Sequence, residues 1–68
     1  DVIKILFKEK NNGDLQTIGL FSKKARGLMS KFIIQNKIKN PVDLKNFNDD
    51  GYKFNAKYSD DNNFLFIR

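Results

Sequence analysis

The stretch Ser22-Lys23-Lys24-Ala25-Arg26-Gly27-Leu28-Met29-Ser30-Lys31-Phe32-Ile33 sets the architecture, because its apolar residues recur with a helical period. Ala25, Leu28, Met29, Phe32 and Ile33 fall on one side of a 3.6-residue wheel, while Lys23, Lys24, Arg26, Lys31 and Lys37 spread over the opposite arc. Ser22 is a good N-cap, its hydroxyl able to accept an early N–H, so the helix is expected to begin there and run to about Ile38. That start puts Lys23, Lys24 and Arg26 in the first turn. Unpaired N–H groups already make such an end partially positive, and stability alone would favour Asp or Glu there. An anion such as a phosphate would resolve the conflict, because backbone donors, dipole and side chains would all act on it together.

Before this helix, Val2 to Lys8 places Ile3, Ile5 and Phe7 on one face and Lys4 and Lys8 on the other, which reads as a strand. Lys10 to Asp14 supplies the residues that tolerate positive φ in a hairpin turn, and Leu15 to Phe21 is expected to return as the second strand, weakened at Gly19. After the helix, Asn40 followed by Pro41 matches an N-cap with proline at the first helical position, opening a short helix to about Phe47. Asn48 to Gly51 forms a turn. Tyr52, Phe54, Ala56 and Tyr58 then alternate with Lys53, Asn55 and Lys57 as a third strand whose aromatics share a core face. Ser59 to Asn63 turns the chain back, and Phe64 to Ile67 pairs as the fourth strand. The fold class is α+β: an antiparallel β-hairpin, an amphipathic helix, a short helix and a second β-hairpin, in an antiparallel sheet with helices on one face. Gly27, Ile34 and Ile38 lie together on the polar side of the helix, an apolar patch that a small sheet does not cover and that points to a missing partner surface.

Composition narrows the chemistry. The 68 residues allow one small domain, and the chain opens on Asp1 without an initiator Met and closes on an apolar run, so it reads as a segment of something longer. Without Cys there are no disulfides or thiolate metal sites, and without His the usual proton shuttle and commonest metal ligand are missing; no enzyme and no cofactor is expected. No apolar run reaches the roughly 18 residues of a membrane span, and a cytoplasmic location is expected, with no membrane partner. The net charge of +5 is uneven: no acid occurs between Leu15 and Val42, where Lys23, Lys24, Arg26, Lys31, Lys37 and Lys39 lie. Asp49–Asp50 and Asp60–Asp61 lack the spacing of a calcium loop and read as turn residues.

Taken together, Lys23-Lys24-Ala25-Arg26-Gly27-Leu28-Met29, then Phe32, Ile33, Ile34 and Asn36, then Pro41, Leu44, Phe47, Gly51, Tyr52 and Phe54, and the closing Leu65, Phe66 and Arg68 resemble the C-terminal part of the YaaA-like peroxide stress resistance family. The Glu9, Lys10, Asn11 and Gly13 hairpin supports the resemblance, which covers essentially the whole chain. It implies a bacterial cytosolic protein that limits hydroperoxide and iron damage and binds DNA through a positively charged cleft, in which Lys23, Lys24, Arg26 and Lys31 would be DNA- or phosphate-binding residues. The helix-hairpin-helix element of the family belongs to the remaining N-terminal portion of the parent chain, which the resemblance implies as a partner. Ile5 stands where the family pattern commonly has Pro, and Asn55-Ala56-Lys57 replaces a more acidic stretch, which weakens any metal-binding role. Two other readings stay open: a structural module that completes the parent fold, and a share in a phosphate-substrate enzyme site.

Overall fold

The computed structural model describes residues 2–68. Strand β1 spans Lys4–Asn11, β2 Asp14–Gln16 and helix α1 Gly19–Gln35; two 3-10 helices follow at Pro41–Asn46 and Asp49–Gly51, then β3 at Lys53–Phe54 and β4 at Asn63–Ile67. The α+β class holds, but the sheet is mixed. Its order is β2-β1-β4-β3, with antiparallel β1–β2 and β3–β4 pairs joined through a parallel β1–β4 pair. The antiparallel sheet expected from the hairpins gives way because α1 and the 3-10 helices return the chain so that β4 runs alongside β1 in the same direction. A parallel pair needs such a crossover.

The first hairpin closes at Asn12 and Gly13, with φ of 53° and 87°, a two-residue loop whose twist matches the flanking strands. Its second strand is shorter than expected and ends at Gln16. Phe21 shares a helix face with Ala25, Leu28 and Phe32, and with the helix continued back to Gly19 its partly exposed ring faces the Arg68 guanidinium. The expected N-cap at Ser22 is therefore wrong: Ile18 occupies that position, and Ser22 is buried inside the helix, donating its N–H to the Ile18 carbonyl at 2.8 Å.

The other end of α1 is also displaced from the expected Ile38. Lys37 takes a left-handed conformation with φ of 51°, its N–H donating to the Ile34 carbonyl while that of Ile38 donates to the Ile33 carbonyl. This Schellman arrangement folds Ile38 back onto the core and removes it from the outer patch. Asn40 caps the first 3-10 helix as expected, its side-chain oxygen accepting the Val42 N–H at 3.2 Å. The expected strand from Tyr52 to Tyr58 survives only at Lys53–Phe54. Beyond it Asn55 accepts the Tyr58 N–H, and Ser59 donates to the Asn55 carbonyl at 2.6 Å while accepting the Leu65 N–H at 2.9 Å. A local turn thus replaces the ladder and leaves Tyr58 exposed.

Phe7, Phe47, Tyr52 and Phe66 fill the core beneath Ala25 and Met29 of α1. Phe47 meets Phe66 edge-on at 5.7 Å between ring centroids, and Phe7 meets Tyr52 at 5.1 Å in the same manner. A polar fastener closes the sheet end. Tyr52 donates its hydroxyl proton to Glu9, whose other oxygen accepts the Arg68 Nε–H at 2.5 Å, and Arg68 Nη1 reaches the Asp50 carboxylate at 2.9 Å. The guanidinium lies between the rings of Phe21 and Tyr52, at 4.8 and 4.7 Å from their centroids. Burial first, then the hydrogen bond and charge of Glu9, pushes the Tyr52 hydroxyl up to about 12.

Two outcomes follow for the full-length protein. Phe47→Ala should cost about 3–5 kcal/mol in denaturant unfolding, because it empties the centre of the aromatic cluster. Tyr52 releases its proton near 10 when unfolded and about 12 when folded, so its contribution is complete below pH 10 and is lost as pH rises toward 12. Tyr52→Phe should therefore lower the thermal midpoint at neutral pH and make its alkaline fall shallower, as read from melting curves across pH.

Candidate functional site

The basic residues of interest all belong to α1, and the helix start decides what they can do. With Gly19 as its first residue, the N–H groups without intrahelical acceptors are those up to Phe21, and that of Ser22 is already bonded. Lys23, Lys24 and Arg26 therefore lie beyond the first turn, and the expected conflict with the helix dipole disappears. An anion at the actual N-terminus would meet Leu20 and Phe21, both exposed. Any phosphate held by the cations would be held by side chains alone.

Lys23, Arg26 and Lys31 are exposed, and among the described residues none of the three forms an ion pair. Lys24 differs, its Nζ lying 4.0 Å from the Asp50 carboxylate that Arg68 also contacts. Its side chain remains 67% exposed, so the pair is screened and worth about 0–1 kcal/mol. The four cations do not form one cluster. At 100° per residue Lys24 and Lys31 share one side of the outer face, while Arg26 lies roughly 160° from Lys24, with Lys23 between them. Arg26 borders a shallow cleft of about 220 Å³ lined by Ile5, Phe7, Met29, Ser30 and Ile33. Leu20, Gly27 and Ile34 run along the outer face between the two basic rows.

Asp60 and Asp61 lie in the turn before β4, as expected, whereas Asp49 and Asp50 form the second 3-10 helix with Gly51. Asp50, with φ of 55°, holds Arg68, and Asp60 accepts the N–H groups of Asn62 and Asn63 at 2.8 Å. The Asn62 backbone bond foremost, then the Asn63 side chain, keeps the Asp60 carboxyl below its ordinary range. Among the described residues no group of three or more His, Cys, Asp or Glu side chains stands where a metal ion would be held, and no helix is long and apolar enough to cross a membrane.

Sequence reasoning missed the Glu9, Asp50, Tyr52 and Arg68 assembly. No local pattern announces it, since Glu9 lies 43 residues from Tyr52 and 59 from Arg68. The one available signal is chemical: a charged residue closing an apolar strand needs an acidic partner if it is drawn inward.

A family model described as peroxide stress protein YaaA matches residues 1–58. UPF0246 proteins of Francisella tularensis subsp. novicida and Francisella philomiragia are each 48% identical over 66 residues, and that of Francisella tularensis subsp. mediasiatica is 47% identical over the same length. Each match covers 97% of this chain and 26% of the relative, so the chain spans about a quarter of the length of the curated relatives it matches. These matches do not bear out the C-terminal placement that the resemblance implied. With the family model covering most of its length, the chain belongs to the YaaA family of peroxide stress proteins.

Proposed function

We propose that this segment contributes a basic surface through which its full-length parent holds the DNA backbone during peroxide stress, without enzymatic chemistry and in the cytoplasm. The observation that carries this reading is the outer side of α1, where Lys23, Arg26 and Lys31 are exposed in a stretch without a single acid from Leu15 to Val42. Phosphates attract such side chains irrespective of base sequence, and each neutralised phosphate releases condensed counterions. Because the helix terminus lies elsewhere, affinity would come from side-chain charge and would fall steeply with salt. Interactions of this kind position a duplex and do not select one.

A second reading, a module that completes the fold of the parent, is favoured by the 76% exposure of Leu20 and 75% exposure of Ile34 on the same helix. Charge alone does not account for them.

In the full-length protein, the combined variant Lys23→Glu, Lys24→Glu and Arg26→Glu should weaken duplex DNA binding. The slope of log K against log salt should become shallower by about 0.9 for each phosphate that the variant no longer neutralises. Unchanged affinity and slope, measured by fluorescence anisotropy across a salt series, would overturn the DNA reading.

A further inference from the structure

Leu20, Gly27 and Ile34 stand seven residues apart in α1, a spacing that returns to nearly the same side of a helix. Leu20 is 76% and Ile34 75% exposed, and a Cβ added at Gly27 would meet nothing within 4 Å. At a rise of 1.5 Å per residue, the seam they form is about 21 Å long. Two large apolar side chains with a glycine between them make a ridge with a dip, a relief that the backbone of another helix can enter. Gly27 also weakens α1 relative to alanine, and among the described residues none approaches the space of its missing side chain. Lys23 flanks the seam on one side, and Lys24 and Lys31 flank it on the other.

We propose that a helix from the part of the full-length protein outside these 68 residues docks along this seam, apolar through its middle and carrying Asp or Glu beside Lys23, Lys24 and Lys31. Two observations select this occupant. The chain spans only 26% of the length of its relatives, so most of the parent is available, and a tethered segment acts at high effective concentration. A second copy of α1 would bring the same lysines against one another, and like charges across an interface oppose association. An acid-bearing helix instead satisfies the seam and its flanks at once. Docking leaves Arg26, on the cleft side, outside the interface. The inference goes beyond the DNA-binding reading and competes with it for Lys23, Lys24 and Lys31, leaving Arg26 alone free for phosphate.

The test uses the full-length protein. If the seam faces water, Gly27→Leu replaces a poor helix former with a good one, and the thermal midpoint stays level or rises. Docking predicts a fall of several degrees, because the added side chain enters the dip. The substitution changes no charge, so the DNA reading does not predict this fall. Should the variant fail to fold, zero-length carbodiimide crosslinking of the wild-type monomer decides the matter. Crosslinks from Lys23, Lys24 or Lys31 to acids outside this segment support docking. Crosslinks only between copies, or none from these lysines beyond a Lys24–Asp50 link within the segment, would overturn it, as would a level or raised midpoint.

Discussion

Lys4 to Lys8 pair with Asn63 to Ile67 in parallel, and this ladder between distant parts of the chain is the constraint on which the remaining structure depends. Parallel neighbours cannot be joined by a tight turn, so the intervening chain must cross over the sheet. Here the crossover contains α1, both 3-10 helices and the short β3. The register sets Phe7 beside Phe66, and both are buried. Ala25 and Met29 then cover these rings from α1, while Phe47 enters from the end of the first 3-10 helix. Ala25 lets α1 approach the aromatic layer closely, and Met29 fills the space beside it.

The polar assembly around Arg68 does for orientation what the aromatic cluster does for cohesion. Its guanidinium meets the Phe21 ring of α1, the Glu9 carboxylate of β1 and the Asp50 carboxylate and carbonyl of the second 3-10 helix. The hydrogen bond it donates to Glu9 is the main reason Arg68 holds its proton more firmly than usual. Drawing Arg68 partly out of water is tolerable only because several acceptors and two ring faces receive it. Burial of Ala25 and Met29 sets how α1 is rotated about its own axis. That rotation decides which residues face outward, and Lys24 is accordingly turned toward Asp50.

Two demands meet on the outward side of α1. One is electrostatic, carried by exposed lysines and Arg26; the other is apolar, carried by Leu20 and Ile34. The chain belongs to the YaaA family and spans about a quarter of the length of the curated relatives it matches. The helix presents its two basic rows and the apolar seam between them around a wide arc.

Local signals in the sequence determined the helix with its buried Ala25 and Met29, the Asn12–Gly13 turn, the Asn40–Pro41 helix start and the final strand. Each depends on neighbours within a few residues, where side-chain period and backbone preference are decisive. The basic character of α1 was equally legible, since charge is a property of composition. Tertiary packing decided where the helix begins. Ser22 has the chemistry of a cap, but the side on which Phe21 lies and the bonded N–H of Ser22 favour a start at Gly19. It also cut the alternating Tyr52–Tyr58 stretch to a two-residue strand, because Asn55 and Ser59 hydrogen-bond the local backbone instead of allowing a ladder. The parallel sense of the β1–β4 pair and the union of Glu9, Tyr52 and Arg68 join residues that no local pattern links. Only the folded chain brings them within reach of one another, because their contacts span tens of residues of sequence.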